Sequence, residues 1–304
     1  MKSDFIWMDG ELVPYDQATV HFITPTLHYG MGVFEGIRCY QTPTGPAVFR
    51  LREHLVRFLE SIHILGVRDF PYSVDELRLA VHQVIKANGF SECYIRPLMY
   101  LQGPLGLNMD HSRPRVGIAT WQWGPYLGFE ARDKGIHMMV SSFTRLHPNI
   151  NMTKSKVAGN YVNSMLVKTL ALRSGYDEAV ILDPNGFVAE CTGENVFMVR
   201  RNVLYTPPLA TVLEGLTRDS IIKMAADMGI QVEEKMFTRD QLYIADEVFI
   251  SGTAAEVVGV CKIDHRQIKG GCIGPITQAI MNEFSRTIHG EGKRSQEWLD
   301  YLDS

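Results

Sequence analysis

Apolar positions change their spacing several times along the chain, and each change marks out an element. Phe5-Ile6-Trp7-Met8 and Glu11-Leu12-Val13 flank Asp9-Gly10, a pair suited to left-handed turn positions, so the opening stretch predicts a hairpin. Leu55, Phe58, Leu59, Ile62 and Leu65 recur at helical spacing over 53–65 and stop at Gly66. Ser73-x-x-Glu76 is a capping box that opens a second helix, ending near Gly89. Residues 93–100 and 116–121 read as strands, so the first part of the chain is α+β.

Trp123-Gly124-Pro125-Tyr126-Leu127-Gly128 is hostile to a helix and predicts an interdomain loop over 122–134. It divides the chain into a smaller amino-terminal α+β domain, 1–121, and a larger carboxy-terminal mixed α/β domain, 135–304. In the larger domain a helix is expected over 161–173. Strands at 179–182 and 187–189 are joined through Asp183-Pro184-Asn185-Gly186, and strands at 196–199 and 203–205 through Arg201-Asn202. Helices near 217–228, 238–244 and 275–288 alternate with strands near 230–236 and 247–251. No internal repeat or low-complexity segment interrupts the pattern.

Composition narrows the partner. The 304 residues are 45% apolar, enough to bury a substantial core, and the net charge of −4 comes without a long run of either sign. Neither nucleic acid phosphates nor an anionic membrane are natural partners for such a surface, which leaves a small molecule. Met-Lys-Ser-Asp-Phe-Ile-Trp lacks the apolar core of a secretory signal and no stretch reaches the ~20 apolar residues of a membrane span, so a cytoplasmic location is expected. The five cysteines, at 39, 93, 191, 261 and 272, contain no Cys-x-x-Cys pair and are expected as reduced thiols.

Several chemistries lose their support. Gly30-Met31-Gly32-Val33-Phe34-Glu35-Gly36 is close to a dinucleotide fingerprint, but its third glycine comes one residue late and Ile37-Arg38-Cys39-Tyr40 prefers a strand. There is no Walker A loop, no His-Glu-x-x-His and no Gly-x-Ser-x-Gly, and the ten histidines lack ligand spacing, so no metal site is expected.

Lys154-Ser155-Lys156-Val157-Ala158-Gly159-Asn160-Tyr161 sets two lysines before a helix start. With a pKa of about 10.4 a lysine is neutral in roughly one molecule in 2,500 at pH 7, so it becomes a nucleophile only in a desolvated pocket. A Schiff-base lysine and a solvated loop are both compatible with these residues. Glu190-Cys191-Thr192-Gly193-Glu194-Asn195 ends an apolar strand with a carboxylate, which could keep a pyridine nitrogen protonated, cap a turn or pair with a basic residue. Glu214-Gly215-Leu216-Thr217-Arg218-Asp219 is a helix start that could serve a phosphate or simply be capped.

Taken together, Lys156-x-x-x-Asn160-Tyr161 and Glu190-x-Thr192-x-x-Asn195-x-Phe197 resemble the signature of the class IV pyridoxal-phosphate aminotransferases. The similarity runs from Leu27-His28-Tyr29-Gly30-x-x-Val33-Phe34-Glu35-Gly36-Ile37-Arg38 to Ser251-Gly252-Thr253-Ala254-Ala255-Glu256, where it is most like branched-chain aminotransferases. The resemblance implies the class IV aminotransferase fold, with pyridoxal 5'-phosphate on Lys156, which also moves the substrate's proton. Lys156 rather than Lys154 stands five residues before the tyrosine. Glu190 would face the ring nitrogen and Tyr161 the ring hydroxyl, while Leu216, Thr217, Thr253 and Arg57 would hold the phosphate. Tyr29, Arg38, Tyr94 and Arg96 would be polar substrate contacts, with backbone donors at Thr253, Ala254 and Ala255 for a carboxylate. Phe34, Trp123 and Tyr126 would form aromatic walls.

The implied reaction moves the amino group of L-leucine, L-isoleucine or L-valine to 2-oxoglutarate in a homo-oligomer, dimer or hexamer. Tyr29 and Pro104-Leu105-Gly106-Leu107-Asn108 would approach the neighbouring subunit's site. D-amino acid or (R)-amine transamination, an aminodeoxychorismate lyase activity, or non-catalytic binding of a phosphate ligand are the alternatives.

Overall fold

Asp9 and Gly10 both take positive φ, 47° and 104°, and the strand Phe5–Met8 turns back onto Glu11–Pro14, as the Asp-Gly pair predicts. The structure is a computed structural model that describes residues 3–269, 271 and 273–302. Contacts divide it into two compact units: residues 1–123, 154–160 and 287–304 form the first, and residues 124–153 and 161–286 the second. Two segments that the sequence places in the larger domain therefore group with the first unit. The carboxy-terminal strand Leu299–Tyr301 is zipped onto Gly45–Phe49, and Val157 bridges to Val33.

The first unit is built on an eight-stranded sheet. Its order is Leu299–Tyr301, Gly45–Phe49, Ile37–Thr42, Cys93–Gln102, Arg113–Trp121, Phe5–Met8, Glu11–Pro14, and the short strand Gly32–Phe34 also pairs with Cys93–Gln102. The helices Leu51–Ile64 and Val74–Ala87 bury Leu51, Leu55, Phe58, Ile62, Leu77, Val81 and Ile85 together with Ile95, Met99 and Ile118 of the sheet. The capping box is present: Ser73 Oγ accepts Glu76 N–H, and Glu76 accepts Ser73 N–H at 2.8 Å.

In the second unit nine strands follow the order Val188–Glu190, Glu178–Leu182, Ile136–Thr144, Glu256–Ile263, Glu247–Gly252, Asn195–Arg200, Val203–Thr206, Val232–Glu234, with Arg266–Gln267 on the flank of Glu256–Ile263. Glu190 also pairs with Asn195, so the path from Val188–Glu190 to Asn195–Arg200 closes on itself as a barrel. Closure covers the free edge of Val188–Glu190 and fixes Glu190 at the seam. Phe197 and Phe249 sit opposite each other across one pair of strands and stack, 4.8 Å between centroids. The helix Tyr161–Arg173 spans the residues expected.

Several elements depart from the sequence reading. The stretch 122–134, expected as loop, contains the helix Phe129–Lys134, bracketed by Gly128 and Gly135 at positive φ and tied by Lys134 to Glu130 at 3.0 Å. Ile136–Thr144 and Glu256–Ile263, in a parallel pair, carry no alternation that marks them as strands, and neither do Gly32–Phe34, Gly45–Phe49 and Leu299–Tyr301. Cys39, Cys93 and Cys191 are free thiols, whereas Cys261 is disulfide-bonded, which corrects the expectation of reduced thiols; Cys272 lies outside the described residues. Among the described residues no helix is long and apolar enough to cross a membrane.

Candidate active site

The segment bearing Lys156 is held by its backbone. Lys156 N–H donates to Ser61 Oγ at 3.1 Å, Lys156 O accepts Phe34 N–H at 3.1 Å, and Ser155 Oγ donates to Ser61 O at 2.9 Å. Further along, Gly159 N–H reaches Gly30 O at 3.0 Å, and a Cβ at Gly30, where φ is 71°, would lie 3.0 Å from Gly159 Cα. A glycine at 30 is thus required twice, for the left-handed turn that ends the helix Pro25–Tyr29 and for this close approach. With its main chain pinned, Lys156 moves only through its side-chain torsions. Its Nζ lies 4.9 Å from the centroid of the Phe34 ring.

The same ring carries a second cation. Arg96 Cζ is 4.5 Å from the Phe34 centroid, 5.4 Å from Tyr94 and 5.9 Å from Trp121. Arg96 Nη2 reaches Tyr94 Oη only at 3.5 Å, and its buried Nε has no hydrogen-bond partner among the described residues. Among those residues no ion pair holds this guanidinium; aromatic faces do. Tyr94 is itself wedged between Trp121 and Trp123, 5.1 and 4.8 Å between centroids. Arg38 is directly opposite Tyr94 across the strand pair. Tyr29 is 48% exposed at the end of its short helix, away from any of these ring contacts.

Beside them runs a buried ionic group. Arg57 donates from Nε to Glu35 Oε1 at 2.7 Å and from Nη2 to Glu35 Oε2 at 2.8 Å, and His54 Nδ1 meets Oε2 at 2.8 Å. Burial works to raise the Glu35 pKa, but Arg57 and His54 outweigh it and hold the carboxyl well below the usual range. Burial pushes His54 down, against the pull of Glu35, so its ring is neutral at pH 7 and Nδ1 is the donor. Arg57, His54 and Ser61 share one face of the helix Leu51–Ile64 at i, i+3 and i+7.

In the second unit Glu190 is buried at the barrel seam. Oε1 accepts Arg145 Nε at 2.5 Å and Oε2 accepts Leu213 N–H at 3.3 Å, while Arg145 Nη1 reaches Asn163 Oδ1 at 3.5 Å. Asn195, paired with Glu190, donates from Nδ2 to Leu213 O at 3.3 Å, and a Cβ on Gly215 would collide with its Oδ1. These contacts fix the turn 213–215, from which the helix Leu216–Asp227 starts without a side-chain cap. Thr217, in its first turn, is 3% exposed. Backbone N–H groups at such a start, next to a buried hydroxyl, suit a phosphate.

The hairpin turn Thr253-Ala254-Ala255 follows the strand paired with Asn195, and a Cβ on Gly252 would lie 3.1 Å from Gly193 O. Glu190, Leu216, Thr217 and the 253–255 turn thus gather at one end of the barrel. Tyr161 opens its helix half-buried, and Tyr126 packs under Lys168, whose Nζ is 5.2 Å from the ring centroid.

Each unit, taken by itself, carries groups that suit a part of pyridoxal 5'-phosphate. The first unit presents a pinned primary amine beside a guanidinium that lacks an anion among the described residues, and the second a buried carboxylate next to an uncapped helix start. Lys156, Phe34, Tyr94, Arg96 and Trp123 are brought together in the first unit, with Arg38 across the strand from Tyr94. Trp121, Glu35, His54, Ser61, Arg145 and Asn195 join the two constellations without having been given a role by the sequence. His54 and Ser61 share a helix face with Arg57, a spacing that could have flagged them, whereas nothing local distinguishes Arg145.

Comparison with known proteins covers nearly the whole chain. The family profile described as amino-transferase class IV matches residues 32–263. A branched-chain-amino-acid aminotransferase of Pseudomonas aeruginosa is 45% identical over 298 residues, covering 98% of this chain and 97% of that protein. The crystal structure of the Escherichia coli branched-chain amino acid aminotransferase superposes with a TM-score of 0.96 at 44% identity, covering 99% of this chain and 100% of that one. The branched-chain amino acid aminotransferase from Thermobaculum terrenum, solved in its PLP-form, gives a TM-score of 0.93 at 32% identity, covering 100% of this chain and 99% of that one.

Proposed function

The chain belongs to the class IV aminotransferases, and from that premise we propose that it is a branched-chain amino acid aminotransferase. It exchanges the amino group of L-leucine, L-isoleucine or L-valine with 2-oxoglutarate, using pyridoxal 5'-phosphate. One observation carries the substrate class: the amine of Lys156 and the guanidinium of Arg96 flank a single ring, Phe34, at 4.9 and 4.5 Å from its centroid. A reactive amine, a carboxylate receptor and an apolar wall are what an amino acid requires.

The setting of Arg96 accounts for two kinds of substrate in one pocket. Phe34, Tyr94 and Trp121 support the cation when an aliphatic side chain enters, so that it is not left stranded in an apolar site. When 2-oxoglutarate or glutamate enters, the second carboxylate displaces that weak support with a charge-assisted contact. Tyr29, Arg38 and Tyr94 complete the polar contacts, Thr253, Ala254 and Ala255 offer backbone N–H groups to the α-carboxylate, and Trp123 and Tyr126 add aromatic wall.

When bound, pyridoxal 5'-phosphate supplies a protonated pyridine ring that withdraws electrons from the substrate's Cα. Glu190, its charge matched by Arg145, would accept from the ring N–H and keep that proton in place. Lys156 Nζ takes the proton from Cα, a task suited to an amine on a flexible stem with a fixed backbone. Tyr161 would meet the ring hydroxyl, and Arg57, Leu216, Thr217 and Thr253 would hold the phosphate. The reading includes a cytoplasmic homo-oligomer, dimer or hexamer. Phe22, Leu27, Tyr29 and Leu107 are 78%, 61%, 48% and 92% exposed, the apolar surface that a second subunit would cover.

Steady-state turnover of L-leucine with 2-oxoglutarate tests the assignment, in wild type and in Lys156→Arg. The wild type turns over, and the variant, which keeps the charge and loses the amine that accepts the Cα proton, does not. Transamination at the wild-type rate in the variant would refute it.

A further inference from the structure

Glu35 is the most deeply buried charge of the first unit, and no step above uses it. It is 0% exposed, and four donors surround its carboxylate: Arg57 Nε, Arg57 Nη2, His54 Nδ1 and, at 3.3 Å, Gly36 N–H. Its own N–H is held by Pro97 O at 3.0 Å. A carboxylate removed from water is costly unless its oxygens are paired, and here Oε1 accepts from Arg57 Nε while Oε2 faces Arg57 Nη2, His54 Nδ1 and Gly36 N–H. The two parallel bonds to Arg57 are the fork-to-fork arrangement, which fixes the guanidinium plane as well as its place.

Orientation is gained at the expense of charge. Glu35 and Arg57 together are neutral, and His54 adds none, so the triad attracts an anion less strongly than a lone arginine would. A purely electrostatic anchor would omit Glu35. The same helix face that bears His54 and Arg57 also bears Ser61, which holds the backbone of Lys156. One rigid surface therefore sets both the lysine and the arginine.

We propose that Glu35, steadied by His54, is a positioning residue that orients the Arg57 guanidinium towards the phosphate group of pyridoxal 5'-phosphate. The inference rests on the assignment of Arg57 to that phosphate.

The full-length protein, freed of cofactor, is titrated with pyridoxal 5'-phosphate and separately with pyridoxal, which lacks the phosphate. Wild type, Glu35→Gln, Arg57→Ala and the double variant are compared. Gln places an amide donor against the guanidinium and breaks the fork. Glu35→Gln is expected to weaken pyridoxal 5'-phosphate at least tenfold, to leave pyridoxal within twofold, and to add nothing in the Arg57→Ala background. Unchanged or tighter binding of pyridoxal 5'-phosphate by Glu35→Gln, with Arg57→Ala still weakened, overturns the inference and shows Glu35 to be a counter-charge. If Arg57→Ala binds both ligands like wild type, the phosphate assignment itself fails and the inference goes with it. Should Glu35→Gln not fold, His54→Phe removes one donor and spares the fork; a phosphate-dependent loss of about threefold supports the inference, and no loss refutes it.

Discussion

Replacing Glu194 by glutamine exposes how the second unit manages three of its buried glutamates, Glu178, Glu190 and Glu194. Glu178 is met by Lys168 at 2.7 Å, Thr192 Oγ1 at 2.9 Å and Ala179 N–H at 2.8 Å, and Glu190 by Arg145. Glu194 has, among the described residues, only Gly193 N–H, at 3.0 Å. Burial first, and then the charge of Glu178, pushes its pKa from an ordinary value of 4.5 up to about 8, so at pH 7 it is mostly the neutral acid. Between those values the folded chain retains a proton that the unfolded chain releases, and stability therefore falls as pH rises from 4.5 to 8. The window spans about 3.5 pH units, and at about 1.4 kcal/mol per unit the full loss above pH 8 is on the order of 5 kcal/mol. Glutamine has the shape of the protonated acid, keeps an acceptor for Gly193 N–H and does not titrate. Denaturant unfolding of both proteins from pH 5 to pH 9 reads the effect, because groups that do not interact with Glu194 cancel in the difference. The two should be alike near pH 5, with the variant more stable by roughly 2–5 kcal/mol at pH 9. A difference that does not change with pH would refute the reasoning.

Two further perturbations test other contacts. In Gly36→Ala the new Cβ collides with Tyr94 Oη, so the ring must leave its place beside Arg96; KM for both amino acid and 2-oxoglutarate should rise several-fold while the absorbance of bound cofactor is retained. Asp300→Asn disrupts the bonds that tie the last strand to Arg78, at 2.6 and 2.8 Å, and weakens its 2.9 Å contact with His82, and should cost roughly 1–3 kcal/mol at pH 7. Burial acts to raise the Asp300 pKa, but His82 and Arg78 lower it further, so its contribution is present above the unfolded value near 3.8 and is lost as pH falls below it. Melting curves of the two proteins should converge as the pH is lowered through that range.

What can be read from the sequence is whatever repeats with a period or a fixed spacing. The helix Leu51–Ile64 shows itself by its apolar stripe, Val74–Ala87 by its capping box, and the first hairpin by Asp9-Gly10. Lys156 and Glu190 stand out because their spacing to Tyr161 and to Asn195 matches the family's motifs. Residues whose meaning comes from distant partners are silent. Glu35 acquires its role from a helix nineteen residues on, and Arg145 from a carboxylate forty-five residues away. The barrel seam at Glu190 and Asn195 rests on a single residue pair, and the strand Leu299–Tyr301 is three residues long, too short for alternation to register.

The central claim is that Lys156 holds pyridoxal 5'-phosphate and that the chain passes amino groups through it. The visible absorbance spectrum of the purified protein, loaded with cofactor, tests this most directly when L-leucine and then 2-oxoglutarate are added. The account predicts a yellow band that bleaches with leucine and returns with 2-oxoglutarate, one change for each half of the reaction. A protein that stays colourless when pyridoxal 5'-phosphate is supplied would contradict it, as would a yellow band that neither substrate alters.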